Sequence, residues 1–203
     1  DEGKIKALWF VATNPAHSWI DKHELFRRFN KLEFLVVQDL FTTTETAQAA
    51  DLILPAAGSG ETTGTLINSE RRLGVVQKVL EPPGDARSDF DILRAIADRL
   101  PGGPFLPQWN EPEAVFRDLA RISRGRPCDI SGIHGYEQLR ARGGVQWPYP
   151  TGTRPGDSED AEDKRLFADG NFFTPDGKAR MLFTAIEAVP EPTDGEYPFV
   201  LLT

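Results

Sequence analysis

FLVVQD, residues 34–39, is a short apolar run that ends in two polar side chains, a pattern typical of a buried strand that leaves the core. Two similar runs flank it, IKALWFVA at residues 5–12 and LILP at residues 52–55. Apolar residues at helical spacing fill residues 21–30, and residues 43–50 favour a short helix. Continuous apolar strands that alternate with helices predict a parallel sheet with helices on its faces.

Farther along the chain, apolar spacing predicts two more helices. Ser88 caps the first, over residues 88–100, and the second covers residues 111–123. Residues 66–74 contain the sequence NSERR and favour no particular element. Residues 124–163 are rich in Gly, Pro and charged side chains with little periodicity, so we expect an irregular segment there.

The last part of the chain carries two turn dipeptides, Asp169-Gly170 and Asp176-Gly177, which predict β-hairpins within residues 164–179. We therefore expect an α/β fold in two parts. Residues 1–125 form a Rossmann-like parallel sheet with flanking helices, and residues 126–203 form an irregular extension that contains hairpins.

Composition narrows the class of protein. The chain has 203 residues, with 23 Lys and Arg against 31 Asp and Glu, which gives a net charge of −8. An acidic chain without a basic cluster argues against nucleic acid as a partner. No apolar run reaches the roughly 18 residues that a membrane-spanning helix needs, and no signal peptide is visible.

The single cysteine, Cys128, excludes a disulfide scaffold, a four-cysteine zinc site and a four-cysteine iron–sulfur cluster within this chain. It fits a reducing compartment, and we expect a cytoplasmic protein. The only Met is Met181, and YPFVLLT at residues 197–203 resembles a strand cut at its end. We therefore expect a piece of a longer polypeptide.

Candidate catalytic residues are few. The three histidines, at positions 17, 23 and 134, show no metal-ligand spacing, so we predict no metal ligand in this chain. His17 follows the first strand and is a candidate site residue, although a surface or packing histidine is the simpler explanation. Cys128 lies in no motif, and Ser59 lacks the glycines of a nucleophile elbow. We predict no catalytic residue here.

Polar side chains follow each predicted strand. Asn14 follows the first strand, Gln38 and Asp39 end the second, and a Gly-rich loop at residues 58–64 follows the third. Ligands of open parallel α/β sheets lie outside the carboxyl ends of the strands. The sequence therefore predicts a binding site for a nucleotide at this edge.

Individual side chains suggest how such a site would work. Asp39 can accept hydrogen bonds from a ribose or a base, and Thr44 lies in a threonine-rich helix start that can hold a phosphate. An alternative interpretation is structural: Asn14 forms a turn, while Asp39 and the threonines cap a helix. Spacing alone leaves both interpretations open.

The longest motifs resemble the molybdopterin oxidoreductase family. They are TNP at residues 13–15, VVQDLF at residues 36–41 and TETAQAADLILP at residues 44–55. The resemblance continues through residues 61–72, 82–89, 144–148 and 172–180, and so covers most of the chain.

This resemblance implies one of the four domains of a nitrate reductase or formate dehydrogenase large subunit. The third domain of these subunits is Rossmann-like and holds one guanine dinucleotide of a molybdenum bis(molybdopterin guanine dinucleotide) cofactor. The family's dinucleotide contacts match Asn14, Gln38, Asp39 and Asp89. Thr62 departs from the pattern, because related nitrate reductases have Lys there.

The resemblance also implies which features of the family belong to other domains. The iron–sulfur motif, the molybdenum ligand and most of a C-terminal β domain would belong to the remaining domains of the same polypeptide, so we expect this chain alone to be inactive. It indicates no particular electron-transfer partner. GVQWP and NSERR favour an assimilatory-type nitrate reductase, while VQDLF and EPPG also suit a formate dehydrogenase. A non-catalytic α/β interaction module is a further alternative.

Overall fold

A computed structural model shows two compact units, residues 1–164 and residues 165–203. The structure describes residues 3–103, 107–161, 163–185 and 192–200. In the described part of the chain, no helix is both long and apolar enough to span a membrane.

The first unit opens with a three-stranded parallel sheet in the order β1-β2-β3. Its strands are β1 (Ala7–Val11), β2 (Phe34–Asp39) and β3 (Leu52–Pro55). Three helices connect them: α1 (Pro15–Ser18), α2 (Lys22–Phe29) and α3 (Glu45–Gln48). The predicted alternation of strands and helices is confirmed.

Helix α2 shows why the elements around the parallel sheet could be predicted from the sequence. The Asp21 side chain accepts a hydrogen bond from the Glu24 backbone N–H at 2.8 Å and so caps the helix. One face of the helix then buries Leu25 and Phe29 beside Leu35 of β2. A polar cap followed by apolar residues at helical spacing is a strong local signal.

A second, antiparallel sheet follows in the order β4-β5-β6. Its strands are β4 (Gly64–Ile67), β5 (Arg72–Val76) and β6 (Val145–Gln146). Three more helices belong to this unit: α4 (Asp89–Ala97), α5 (Pro112–Ile122) and α6 (Tyr136–Ala141). The predictions of α4 and α5 are confirmed, including Ser88 as the cap of α4.

Residues 66–74, which the sequence left unassigned, form most of the hairpin between β4 and β5. The Asn68 side chain accepts hydrogen bonds from the Glu70 and Arg72 backbone N–H groups, at 3.1 and 2.9 Å. Arg71 adopts the left-handed conformation, with φ of 66°. Polar side chains that bond to the backbone thus make this tight turn.

Residues 124–163 are more ordered than the sequence predicted, because they contain α6 and β6. Val145 of β6 pairs with Leu73 of β5, and both are buried in a core with Phe116, Ile133 and Leu139. Since β6 lies beyond residue 125, the antiparallel sheet draws on both predicted parts of the chain. The domain boundary itself stays a prediction.

In the second unit, the structure differs from the predicted β-hairpins. Turns lie at both predicted dipeptides, since Gly170 and Gly177 donate to the carbonyls of Phe167 and Thr174, each at 3.0 Å. No strands flank these turns in the described part of the unit, so the predicted β-hairpins are wrong there. A turn dipeptide sets the local backbone but cannot by itself provide a partner strand. Residues 201–203, the end of the suggested terminal strand, lie outside the described residues.

Candidate functional site

The carboxyl ends of β1, β2 and β3 meet at one edge of the parallel sheet, where they border a polar pocket of about 390 Å³ that we call the strand-end pocket. It is lined by Ala12, Thr13, Asn14, Gln38, Asp39, Leu40, Thr44, Ala56, Ala57, Gly58, Ser59, Thr62 and Asp89. All five predicted binding residues therefore line a single pocket.

Asn14 holds the turn after β1 against the start of α3. Its Nδ2 donates to Glu45 Oε2 at 2.7 Å, and its Oδ1 accepts from Thr46 Oγ1 at 2.6 Å. The fully buried Thr46 in turn accepts from the Ala16 backbone N–H at 3.0 Å. The hydrogen bond from Asn14, together with one from the Glu45 backbone, lowers the pKa of the Glu45 carboxyl. The Asn14 amide is thus engaged within the protein itself.

In the Gln38 side-chain amide, only one of the two polar atoms has a hydrogen-bond partner in the described part of the chain. The side chain is fully buried, and Nε2 donates to Asp89 Oδ1 at 2.5 Å. Its Oε1 is buried and has no hydrogen-bond partner among the described residues. A buried amide oxygen without a partner is costly, so a donor from a ligand would stabilise this arrangement.

Asp89 reaches the pocket because the chain returns to the sheet beside β3. The Arg87 backbone N–H donates to the Pro55 carbonyl at 3.1 Å, and the Ala57 N–H donates to the Arg87 carbonyl at 2.8 Å. This short parallel pairing places the first residue of α4 opposite Gln38. Residues 51 positions apart are thereby brought into hydrogen-bond contact.

Asp39 and Thr44 also line the pocket. Asp39 Oδ1 accepts from the Leu40 backbone N–H at 2.7 Å, and Oδ2 accepts from Thr44 Oγ1 at 3.3 Å. The Thr44 hydroxyl also accepts from the Ala47 N–H at 3.4 Å and caps α3. These contacts match the structural interpretation of the sequence, and they leave both residues on the pocket surface.

The charges around the pocket indicate what it can bind. The described residues that line it include two carboxylates, Asp39 and Asp89, and no Lys, Arg or His. Carboxylates and amide oxygens accept hydrogen bonds, so they suit hydroxyl and N–H donors. Two carboxylates would repel a phosphate, and Thr62 adds no positive charge at the position where Lys was expected.

Sequence reasoning did not single out several of the lining residues. Ser59 fails as a nucleophile elbow, yet it lines the pocket in the loop after β3. Ala12 adopts a left-handed conformation, with φ of 54°, which no sequence signal indicated. His17 is exposed, with Nδ1 3.6 Å from Glu45 Oε1, and Cys128 is exposed with a free thiol. Among the described residues, no group of three potential ligands is placed to hold a metal ion.

Comparison with known proteins identifies the family. Residues 1–99 match the family model described as molybdopterin oxidoreductase. These residues belong to the molybdopterin oxidoreductase family. The match contains the whole parallel sheet and every residue that lines the strand-end pocket. Membership of the molybdopterin oxidoreductases implies a cofactor of molybdenum and pterin.

Several curated relatives match nearly the whole chain. A nitrate reductase of Synechocystis is 39% identical over 98% of this chain, and the assimilatory nitrate reductase catalytic subunit of Bacillus subtilis is 36% identical over all of it. The F420-dependent formate dehydrogenase subunit alpha of Methanocaldococcus jannaschii is 33% identical over the full chain. The chain spans only 27 to 28% of the length of these relatives.

A solved structure shows the same fold. Acetylene hydratase from Pelobacter acetylenicus superposes with a TM-score of 0.53 over 66% of this chain and 18% of its own. The two sequences are 23% identical over this region, so the likeness concerns the fold alone. It agrees with the predicted α/β class.

Proposed function

We propose that the strand-end pocket binds the guanosine end of a molybdopterin guanine dinucleotide. The observation that carries the proposal is the buried, unpartnered Oε1 of Gln38, which lies in a pocket bordered by the Asp39 and Asp89 carboxylates. Guanine presents an N1–H and an amino group, and its ribose presents hydroxyls. These donors complement three neighbouring acceptors.

The composition of the pocket supports a nucleoside rather than a phosphate at this position. A guanine edge donates hydrogen bonds without carrying charge, so it meets two carboxylates without repulsion. Thr44 and the loop around Ser59 offer hydroxyl groups at the rim. When bound, the molybdenum–pterin group supplies two-electron oxidation–reduction at the metal, and the residues of this chain bind and orient its nucleotide end.

We further propose that this chain is one part of a larger enzyme and is inactive alone. Its relatives are about four times as long, which leaves room for the domains that would carry the molybdenum ligand and an iron–sulfur cluster. The remaining domains of the same polypeptide would then be its main partners. Cytoplasmic location also stays a prediction.

For the whole enzyme we propose nitrate reduction. The similarity supports this choice because the nitrate reductases of Synechocystis, Haloferax mediterranei and Bacillus subtilis are 39, 36 and 36% identical, against 33 and 32% for two formate dehydrogenase alpha subunits. Formate oxidation is the second candidate, because the identities differ by only a few percent. A non-catalytic module is the third.

The full-length reading frame around this chain provides the test. It is expressed in a host that makes the molybdenum cofactor, and the purified protein is assayed for molybdenum, for released guanine nucleotide, and for activity with nitrate and with formate. Molybdenum with nitrate reduction supports the proposal, whereas molybdenum with formate oxidation keeps the cofactor and replaces the substrate. A protein that holds neither molybdenum nor guanine nucleotide would favour the non-catalytic module.

A further inference from the structure

The two faces of the parallel sheet are covered to very different extents. Paired residues of neighbouring strands point to the same face, and successive residues of one strand point to opposite faces. The register of the three strands therefore defines two sets of apolar side chains. The first face carries Leu8, Phe10, Leu35, Val37 and Ile53. The second face carries Trp9, Val11, Phe34, Val36, Leu52 and Leu54.

Helices α1 and α2, which connect β1 to β2, cover the first face. Ala16 of α1 and Leu25 and Phe29 of α2 form one core cluster with Leu35 of β2. Ala49, which follows α3, packs against the same cluster. The strand order runs in one direction, and right-handed crossovers that advance in one direction place their helices on the same face. The connections between these strands therefore supply no helix to the second face.

Each strand leaves a large apolar side chain exposed on the second face. Val11 of β1, Phe34 of β2 and Leu52 of β3 are 38, 43 and 42% exposed. Leu35 follows Phe34 in the central strand and is only 2% exposed, so the difference arises from the face and not from the strand. Parallel sheets are normally covered by helices on both faces, so a covering layer is incomplete here.

Helix α4 covers only a part of the second face. Ile92 and Ile96 of this helix border an apolar groove of about 350 Å³ together with Leu54 of β3. The lining of the groove includes none of the three exposed side chains on the second face. Helix α4 thus reaches the end of β3 and leaves the region that spans β1 and the first residues of β2 and β3 uncovered.

Strand β1 also has a side to which no strand is paired in the part of the chain that the structure describes. The Ala12 backbone N–H donates to the Gln38 carbonyl of β2 at 2.9 Å. Backbone N–H groups alternate between the two sides of a strand, so those of Trp9 and Val11 point away from β2. Such a row of backbone groups at a sheet edge is suited to pairing with a further strand.

We propose that another part of the same polypeptide supplies a strand that pairs in parallel with β1 and an α-helix that covers the second face. A strand beside β1 reverses the direction in which the sheet grows, and a right-handed crossover then places its helix on the second face. This helix is amphipathic, with its apolar side against Val11, Phe34 and Leu52.

The length of the relatives favours this source of the helix. This chain covers 98 to 100% of itself but only 27 to 28% of the nitrate reductases of Synechocystis and Bacillus subtilis. The inference therefore rests on the proposal that the chain is one part of a larger enzyme. A second copy of the chain is less suitable, because a two-fold contact would bring a sheet face against itself, whereas parallel sheets are covered by helices.

The place of the strand-end pocket agrees with this arrangement. In open parallel sheets, ligands bind at the carboxyl ends of the strands where the direction of growth reverses. An added strand makes β1 that point of reversal. The pocket is lined by Ala12, Thr13 and Asn14, which directly follow β1.

Photo-crosslinking of the full-length polypeptide tests the helix. The photoreactive residue p-benzoylphenylalanine replaces Phe34 or Leu52, one position at a time, and mass spectrometry identifies the linked peptides after irradiation. We expect both positions to link to one segment outside the 203 residues of this chain, at residues three or four positions apart as on one side of a helix. A mixture of isotope-labelled and unlabelled protein shows whether each link lies within one molecule.

His23 provides the matched control, because it is exposed on α2, a helix of the first face. The same photoreactive residue at position 23 should not link to the segment that Phe34 and Leu52 reach. The proposal is overturned by links that stay within this chain, by links between two copies, or by the absence of links from both test positions. Links from position 23 to the same segment overturn it as well, since one helix cannot lie on both faces.

Hydrogen exchange of the unmodified full-length polypeptide tests the strand and needs no variant. The N–H groups of Trp9 and Val11 should exchange at least about tenfold more slowly than unpaired amides, because each donates to the added strand. The Ala12 amide is the internal reference, since it is already bonded to Gln38. Fast exchange at Trp9 and Val11 beside a protected Ala12 overturns the proposal. Neither experiment depends on nucleotide or activity, so a polypeptide with these links but without cofactor would overturn only the proposed function.

Discussion

At the scale of single residues, the hydrogen bond between Gln38 and Asp89 links structure to the proposed ligand. Asp89→Ala removes the acceptor of a buried amide and should lower the free energy of unfolding by about 1–3 kcal/mol. Asp89→Asn keeps an acceptor for Gln38 and should cost less. Both variants should lose guanine nucleotide from the full-length protein, since both remove the carboxylate. Hydrogen exchange gives the stability, and nucleotide release gives the occupancy. An Asn variant that keeps its full nucleotide content would contradict the assignment of Asp89.

Glu113 gives a prediction about pH. Its Oε1 accepts from the Tyr136 backbone N–H at 3.0 Å and from Arg117 at 2.9 Å, and it joins α5 to α6. The Tyr136 N–H, and to a smaller extent Arg117, lower the pKa of Glu113 below 4.5. A carboxyl whose pKa is lower in the folded state stabilises the fold above its unfolded pKa and loses that effect as the pH falls through the folded value.

The expected result is that protection of α6 from hydrogen exchange falls below about pH 4.5 more steeply in the unmodified protein than in Glu113→Gln. Comparison of the two proteins at each pH removes the intrinsic pH dependence of exchange. Glu137→Gln, on the exposed face of α6, serves as the control and should behave like the unmodified protein. Identical pH profiles for Glu113→Gln and the unmodified protein would contradict the prediction.

The position of a residue in the fold could be predicted where the residue lies at the end of a strand. Gln38 and Asp39 follow an apolar run, so their position at the sheet edge was evident before their contacts were known. The clustering of Arg72, Arg142 and Lys164 around one polar pocket was not evident, because these residues meet only through tertiary contacts. No local pattern relates residues that far apart in the chain.

At the scale of elements, Gly132 marks a close approach between two segments. Its backbone N–H donates to the Tyr149 carbonyl at 2.9 Å, and an added Cβ would lie 2.4 Å from the Pro150 carbonyl oxygen. Gly132→Ala should therefore lower the free energy of unfolding by about 1–3 kcal/mol through overpacking. Gly74→Ala in β5 is the matched control, because a Cβ there meets nothing within 4 Å. Equal hydrogen-exchange protection in both variants would argue against this close approach.

Helices with a clear local sequence pattern were predicted well, whereas short elements without one were not. Helices α2 and α4 have a polar cap and an apolar face, and both were predicted close to their observed bounds. Strand β6 has two residues and helix α6 has six, too few for a clear period. Their stability comes from the core around Leu73 and Phe116, so tertiary packing had to be known first.

At the scale of the whole molecule, the molybdenum cofactor and the iron–sulfur cluster proposed for the full-length polypeptide should respond differently to loss of the pocket carboxylates. In the full-length polypeptide, Asp39→Asn combined with Asp89→Asn should lower molybdenum and guanine nucleotide together, because both belong to one bound group. Iron should be unchanged if the cluster lies in another domain. Asp85→Asn combined with Asp98→Asn changes the charge equally at two exposed positions and should keep all three contents. Loss of iron in parallel would indicate general unfolding instead.

The order of strands in the parallel sheet also bears on how the protein assembles during synthesis. Its three strands are neighbours in sequence as well as in space, so the sheet closes only short loops within residues 7–55. The antiparallel sheet must wait for Gln146 before β5 gains its second neighbour. On the ribosome, the parallel sheet therefore has time to form first, and the strand-end pocket lacks one of its lining residues until Asp89 emerges.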